Sequence, residues 1–189
     1  MDDRPTMEGT LLRPDDTPES AVPGRPYAIR PYAGSDAQAV GRLIADTYSR
    51  FNLGWAAPDE SAKLLGPFQH AGSVDPAHRE AIAQVLRAPM AYVAVGGGEI
   101  AGVLRGRPGR LASLFVRADR QRQGIGRRLV ERFEEESRRQ EVRVIHVAST
   151  LFAVPFYTVM GYRKTTGVRS GRSFEGRGLR YQPMKKVLR

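Results

Sequence analysis

The segment from Gln121 to Arg127 carries the residue types and spacing most suited to binding an anion. Gly124 and Gly126 are separated by one residue, so successive main-chain N–H groups can point into one concavity without a Cβ in the way. An amphipathic pattern predicts that a helix begins at Gly124 or Ile125, and the free amides at a helix N-terminus favour negative charge. The pattern predicts a phosphate site; the alternative is an ordinary tight strand-to-helix turn.

Other phosphate and metal chemistries are excluded by what the sequence lacks. No Gly-Lys-Ser/Thr follows the glycines, so the segment is not a P-loop, and it lacks the third glycine and distal acid of a dinucleotide fingerprint. The chain has no cysteine, which excludes a thiolate metal site, a cysteine nucleophile and a disulfide framework. Its histidines, His70, His78 and His146, have no metal-ligand spacing, so no metal is predicted.

Two strands and a helix must position this segment. Leu111 to Val116 predicts a strand before it, and Val142 to Val147 predicts a strand after the helix. Helical spacing places Leu129, Val130 and Phe133 on the buried side. The same spacing predicts that the charged residues face solvent, namely Glu131, Arg132, Glu134, Glu135 and Glu136.

The rest of the chain predicts one α+β or α/β domain with a mixed sheet. Residues 1–26 are rich in proline and acidic residues and predict a flexible tail, with the domain over 27–189. The predicted elements are a strand at 27–30, a helix capped by Ser35 or Asp36, an irregular stretch over 52–74, a helix opened by Asp75-Pro76, a hairpin of 90–95 with 100–104, a short helix at 152–160, and strands around 162–166 and 179–187 separated by an Arg- and Gly-rich turn.

Positive charge is concentrated in the second half of the chain. Residues 101–189 hold twenty-one basic and seven acidic residues, a net charge of +14, within a chain of net charge +10. A polyanionic partner is one interpretation, either nucleic acid or a phosphorylated cofactor. The chain has no apolar run long enough for a membrane helix and no signal-peptide pattern, so we expect a soluble cytoplasmic protein without membrane contact.

Two segments together resemble the GNAT superfamily of N-acetyltransferases. Gln121 to Gly126 is similar to the Gln/Arg-x-x-Gly-x-Gly/Ala turn by which that family holds the pyrophosphate of acetyl-CoA. Ala148 to Tyr157, followed by Met160-Gly161-Tyr162, is similar to its later motif, a short helix with an aromatic pair followed by Gly-Phe or Gly-Tyr. The two motifs occur in the family's order, and the resemblance covers roughly residues 27–188.

The resemblance implies a fold and a reaction. The fold would be a GNAT-like acyl-CoA N-acyltransferase fold, a central and mostly antiparallel sheet with one splayed strand pair, flanked by helices. The reaction would be direct attack of a primary amine on acetyl-CoA, the acyl donor. The amine acceptor is either a small molecule or a protein amino group.

The family's residue roles carry over to matching positions. The implied cofactor-binding residues are Leu114, Phe115, Val116, Gln121, Arg122, Gln123, Gly124, Ile125, Gly126, Arg127 and Ser149. The main-chain N–H of Leu114 would bind the carbonyl oxygen of the thioester. Tyr157 matches the tyrosine that protonates the coenzyme sulfur; the alternative is a packing aromatic beside Phe156.

The general base and the acceptor site stay open at this stage. The family's polar Asn is absent, with Ser149 or Thr150 nearby instead. Candidates for the base are Ser113, Glu60, His70, His78 and Glu99, whereas His146 is expected in the core. The acceptor would be bound by residues 52–74, which include Trp55 and Phe68, and by the turn over residues 167–178. The basic residues of this turn and of the chain directly after it are Arg169, Arg172, Arg177 and Arg180, and Tyr48 is a further candidate for lining an apolar pocket.

Two other functions compete with catalysis. The missing base favours a GNAT fold that binds CoA as a sensor without transferring an acetyl group. The basic second half favours nucleic acid, although no nucleic-acid-binding motif is present. A homodimer formed through a sheet edge or the strand from Leu179 to Leu188 is also possible by analogy with the family.

Overall fold

A computed structural model describes residues 27–189. The tail predicted over residues 1–26 lies outside the described residues. The strands are β1 (Ala28–Pro31), β2 (Met90–Gly96), β3 (Glu99–Arg107), β4 (Arg110–Val116), β5 (Val144–Thr150), β6 (Arg163–Lys164), β7 (Arg169–Ser173) and β8 (Gly176–Val187). The α-helices are α1 (Ala37–Asn52), α2 (Pro58–Leu65), α3 (Pro76–Leu86), α4 (Ile125–Arg139) and α5 (Val154–Val159).

All eight strands belong to one mixed sheet, as the sequence predicts. Its order is β1-β2-β3-β4-β5-β8-β6, and β7 also pairs with β8. Strands β4 and β5 run parallel, and the other pairs in the described chain are antiparallel. Strand β8 pairs with β5 over residues 181–187 on one side and with β7 and β6 on the other, so most of the strand predicted as a dimer contact is already paired within the described chain. The edge formed by β6 and β7 carries Arg163, Lys164, Arg169 and Arg172.

Each face of the sheet carries its own apolar core, because the strands alternate their side chains between two layers of helices. On one face α4 and α5 pack over the sheet, and the buried residues there include Leu111, Leu129, Phe133, Ile145 and Tyr157. On the other face lie α1, α2 and α3, and the buried residues include Val40, Ile44, Leu64, Ile82 and Val103. We call these the α4 face and the α1 face.

The stretch predicted to be irregular contains a helix. Pro58 occupies the first turn of α2, where its missing N–H costs nothing, and Leu64 and Leu65 bury the end of the helix. A 3₁₀ turn, Gly66–His70, follows and buries Phe68. The helix is only eight residues long, so its apolar spacing repeats too few times to be read from the sequence.

Three further boundaries differ from the prediction. The Arg- and Gly-rich turn contains β7, which forms a hairpin with β8 although it has no alternating apolar pattern. Strand β5 begins and ends later than predicted, because it continues through polar Ser149 and Thr150 as the partner of β8. The helix predicted at 152–160 is shorter, Val154–Val159, with a 3₁₀ turn before it.

The structure differs from the prediction at three polar residues. Asp36 is the N-cap residue of α1 as predicted, but its carboxylate makes no cap bond and accepts two hydrogen bonds from Arg30, at 2.7 and 2.8 Å. Glu134, expected to face solvent, is 3 % exposed because it pairs with Lys186 of β8. His146, expected in the core, is exposed on β5, since the buried residues of that strand are Ile145, Val147 and Ser149. Nowhere in residues 27–189 is there a helix with the length and apolar character to span a membrane.

Candidate functional site

Strands β4 and β5 separate soon after they meet. Their parallel pairing consists of Arg110 with His146 and Leu111 with Val147. Directly after Leu111, the register of β4 against β3 shifts by one residue, which makes Ala112 a β-bulge. A bulge bends its strand and disrupts local pairing. Beyond this point the two strands leave an opening, which we call the β4–β5 gap.

Main-chain groups of β4 face this gap. The N–H of Arg117 donates to the carbonyl of Ala101 in β3 at 2.9 Å. Because successive residues of an antiparallel strand point their main-chain groups to opposite sides, those of Leu114 and Val116 point away from β3 and into the gap. The Val116 carbonyl accepts a hydrogen bond from the Gln121 side chain at 3.3 Å. The N–H of Leu114 is thus positioned to bind an acceptor in the gap.

The turn leading into α4 presents free amides beside the gap. Arg122 and Gly124 both adopt left-handed backbone, with φ of 63° and 83°. Gly124 is the N-cap residue and has no side chain that could cap the helix. The first helical hydrogen bond runs from the Arg128 N–H to the Gly124 carbonyl at 3.0 Å. The first amides of a helix have no partner inside it. Those of Ile125, Gly126 and Arg127 are therefore available to an anion.

The polar side chains around this turn divide into structural and free groups. Gln123 accepts a hydrogen bond from the Tyr27 hydroxyl at 2.8 Å, and Arg128 donates to the Tyr27 carbonyl. These contacts hold the turn against Tyr27, the residue before β1. Arg122 is exposed, and Arg127 lies 4.0 Å from Glu131 in an exposed pair that contributes little stability. Arg122 and Arg127 can therefore turn toward a bound anion.

An aromatic pair on α5 lies next to this turn. A Cβ placed on Gly126 would lie 3.4 Å from the Phe156 ring and 3.6 Å from Val116. Tyr157 is 4 % exposed and makes edge-to-face contacts with Phe156 and Tyr162, at centroid distances of 5.2 and 5.3 Å. Burial raises the pKa of the Tyr157 phenol far above its usual value. The phenol is therefore a neutral hydrogen-bond donor at neutral pH.

A known protein family matches the part of the chain that contains the gap, the turn before α4 and the aromatic pair. The family description "Acetyltransferase (GNAT) domain" matches residues 57–188. The chain belongs to the GNAT acetyltransferase family. A search of the curated proteins finds no match.

Solved GNAT structures share the fold at low sequence identity. A GCN5-related N-acetyltransferase from Rhodopseudomonas palustris has a TM-score of 0.68 at 20% identity, over 85% of this chain and 95% of that one. PaiA N-acetyltransferase from Thermoplasma acidophilum, in complex with coenzyme A, has a TM-score of 0.65 at 12% identity, over 86% and 99%. Aminoglycoside 6'-acetyltransferase type Ii has 0.55 at 20%, over 84% and 96%.

Other predicted coenzyme contacts of this GNAT domain occupy less open positions. Ser149 is 1 % exposed, and its hydroxyl donates to the Thr150 carbonyl at 2.9 Å. Phe115 points to the α1 face, where its ring contacts Tyr48 edge-on at 5.7 Å. A coenzyme contact by the side chain of either residue stays a prediction that this geometry does not favour.

The predicted bases are engaged elsewhere. Ser113 accepts a hydrogen bond from Arg105 at 3.0 Å, Glu60 accepts one from the Arg177 N–H at 2.7 Å, and Glu99 pairs with Arg117 at 2.7 Å. His70 and His78 stack on each other at 4.0 Å, beside the start of α3. In residues 27–189 no three His, Cys, Asp or Glu side chains are grouped as metal ligands.

The segments predicted to bind the acceptor meet at two cavities. The larger, about 720 Å³, lies between α2 and the β7–β8 turn. The smaller, about 480 Å³, lies where α1 and β5 end and β8 begins. Trp55 lines the smaller cavity, whereas Tyr48 and Phe68 are core residues at 7 % and 3 % exposure.

Sequence reasoning missed several residues of the site. Phe51, Phe152 and Leu179 line the smaller cavity, and Arg105 holds Ser113 in place. The first three match the apolar pattern of core residues, so only the packing reveals their exposure. Arg105 lies in an otherwise apolar strand, and an isolated arginine at such a position indicates that its side chain has a specific polar partner.

Proposed function

We propose that this protein is an acetyl-CoA-dependent N-acetyltransferase that acetylates a primary amine. The observation that carries the proposal is the position of the uncapped N-terminus of α4 beside the β4–β5 gap. A molecule whose anionic group is bound by the first amides of α4 can place an extended chain in the gap. Membership of the GNAT family supports acetyl-CoA as the molecule with that shape.

The main chain would do most of the binding. The amides of Ile125, Gly126 and Arg127 would hold the pyrophosphate, with Arg122 adding charge-assisted contacts. The N–H of Leu114 would bind the thioester carbonyl oxygen and stabilise the negative charge that develops there. Acetyl-CoA would supply an activated acyl thioester. The main-chain amides are fixed by the fold, so they lose little freedom on binding.

Tyr157 would stabilise the departing sulfur. Its phenol stays protonated because burial raises its pKa. It would donate a hydrogen bond to the thiolate and so assist C–S cleavage. Packing against Phe156 and Tyr162 fixes the ring.

The acceptor amine would lose its proton to solvent. Residues 112–116 of β4 and 148–150 of β5 include no carboxylate or imidazole, and neither does the lining of the smaller cavity. An amine must be neutral to attack a carbonyl. We infer that the neutral fraction of the free amine is the species that reacts.

A coenzyme A sensor is the second candidate. The engagement of Ser113, Glu60 and Glu99 in other contacts favours it, because none of these three side chains is left free to serve as a dedicated base. Nucleic-acid binding is favoured less. Arginines of α4 lie between 3.0 and 4.0 Å from glutamates of the same helix, which offsets part of the positive charge. The homodimer and the cytoplasmic location stay predictions.

Calorimetric titration with acetyl-CoA tests the binding part of the proposal. We expect saturable binding that is lost when Gly124 and Gly126 are both changed to alanine. A folded wild-type chain that does not bind acetyl-CoA would overturn the proposal. Thiol release with a panel of amines then separates the two candidates, since a sensor gives no turnover above hydrolysis with any amine.

A further inference from the structure

The smaller cavity lies on the α1 face, at the open end of the β4–β5 gap. It is formed by the C-terminal end of α1, by Thr150 at the end of β5 and by the first residues of β8. Its volume of about 480 Å³ is typical of a small-molecule site. An acyl group delivered through the gap from the α4 face would emerge beside it.

Aromatic side chains form the walls of this cavity and are held in fixed positions. The rings of Phe51 and Phe152 stack with centroids 4.8 Å apart and planes 20° from parallel. Trp55 donates its indole N–H to the Asn52 carbonyl at 2.9 Å and packs on Gly178, where a Cβ would lie 3.3 Å from the indole. Yet Trp55 and Phe152 remain 58 % and 55 % exposed. Large aromatic area that is fixed but uncovered favours an apolar ligand.

The charge of the cavity is positive. None of its nine lining residues is acidic, and Arg180 is among them. Arg180 is exposed and pairs with Ser170 of β7 through its main chain, and its guanidinium has no ion-pair or hydrogen-bond partner within residues 27–189. Arg50 adds a second cation nearby, over the Phe51 ring at 5.6 Å. A guanidinium of this kind matches a carboxylate with two parallel hydrogen bonds, whereas it repels a molecule with several amines.

We propose that the smaller cavity binds the acceptor, and that the acceptor is a small aromatic or branched apolar amine that carries a carboxylate. The apolar group lies against Trp55 and Phe152, and the carboxylate pairs with Arg180. This proposal rests on the proposed function. In the net reaction a C–N amide bond replaces the thioester C–S bond, and the proton lost by the amine is balanced by the proton gained by the sulfur.

Trp55 makes the cavity directly observable, because it is the single tryptophan of the chain. Its fluorescence is titrated with N-acetyl-L-phenylalanine, with the neutral amide of that compound and with spermidine, none of which absorbs where tryptophan is excited. We expect the anion to bind at least tenfold tighter than the amide, and spermidine to have no saturable effect. Equal binding of anion and amide, or tighter binding of spermidine, would overturn the proposal.

A matched pair of variants separates a specific contact from general charge. Arg180→Gln is expected to bring the affinity for the anion down to that for the amide. Lys164→Gln removes the same charge at the β6 edge, outside the cavity, and is expected to leave the affinity within twofold. Equal losses in the two variants would contradict a direct contact with Arg180.

Turnover distinguishes this proposal from the broader one. Acetyl-CoA titration tests the broader proposal, and thiol release is compared for L-phenylalanine, phenethylamine and spermidine. Acetyl-CoA binding with a preference for L-phenylalanine supports both proposals. Acetyl-CoA binding with a preference for spermidine overturns the acceptor class and leaves the acetyltransferase proposal standing. If acetyl-CoA does not bind, the acetyltransferase proposal fails, and the fluorescence titration still decides which ligand the cavity takes.

Discussion

The ammonium of Lys186 lies 2.7 and 2.8 Å from the two carboxylate oxygens of Glu134. This contact joins β8 to α4, and the Glu134 side chain is only 4 % exposed. Arg138 approaches the same carboxylate at 3.8 Å. A buried carboxylate is stable in its charged form only while a cation pairs with it.

Removing that cation should destabilise the fold. Lys186→Met is expected to lower the free energy of unfolding by about 3 kcal/mol, because it leaves the Glu134 carboxylate buried with only the more distant Arg138. Arg139→Met is the matched control, since Arg139 pairs with Glu135 in an exposed contact, and it should cost less than about 1 kcal/mol. Urea unfolding measures both values. Equal losses of unfolding free energy in the two variants would show that the buried Lys186–Glu134 pair contributes no more stability than an exposed pair.

The two glycines of the turn before α4 should respond differently to alanine. Gly124→Ala should lower stability by roughly 1 to 2 kcal/mol, because its φ of 83° is strained for any residue with a Cβ. Gly126 is helical, and a Cβ there would make ordinary contacts with Phe156 and Val116. Gly126→Ala should therefore keep the stability, and acetyl-CoA binding should stay within about threefold because the family turn accepts glycine or alanine at this position. Gly124→Ala should weaken acetyl-CoA binding at least tenfold, because its strained backbone displaces the free amides of the turn. Thermal unfolding and calorimetry measure the two effects, and unchanged affinity in a folded Gly124→Ala chain would contradict the proposed pyrophosphate position.

Tyr157→Phe tests the proposed acid. We expect kcat to fall about a hundredfold while the affinity for acetyl-CoA stays within twofold, since the ring and its packing are retained. The pKa of Tyr157 is raised by burial, so loss of its proton should not reduce the wild-type rate up to pH 10. Tyr162→Phe, which removes a neighbouring hydroxyl whose pKa is also raised, is the control and should keep kcat. A Tyr157→Phe enzyme with full kcat would assign the residue to packing alone.

The pH dependence of the rate should follow the acceptor and not the protein. If the neutral amine reacts, kcat/KM rises tenfold per pH unit and levels off at the pKa of the amine used. Two acceptors with different amine pKa values should therefore level off at different pH. Ser113→Ala should leave the rate within threefold, because the Ser113 hydroxyl is already bonded to Arg105. A shared plateau for both amines would identify a base on the protein.

The sequence predicted the parts of this fold that depend on repeated patterns. Leu129, Val130 and Phe133 lie on the buried side of α4 as their spacing indicates, and Asp75 caps α3 through the Ala77 N–H at 2.8 Å. The mixed sheet with one splayed pair was also predicted from the family resemblance and is confirmed. Local spacing and local capping determine these features, so they can be read along the chain.

Features that depend on distant partners could not be predicted. The burial of Glu134 depends on Lys186, fifty-two residues away, and β7 exists because β8 pairs with it. Likewise, the smaller cavity joins Phe51 of α1 to Phe152 after β5. No local pattern records a pairing across such a separation, and an apolar residue at a cavity resembles one in a core.

The charged strands β6 and β7 bear on how the protein behaves at high concentration. A free sheet edge offers unpaired N–H and C=O groups that can recruit a strand from another molecule, and basic side chains on the edge oppose that by like-charge repulsion. Arg163, Lys164, Arg169 and Arg172 place four positive charges along this edge. Salt shortens the range of such repulsion. Aggregation of concentrated stocks through this edge should therefore increase with ionic strength, and low-salt buffers should suit storage.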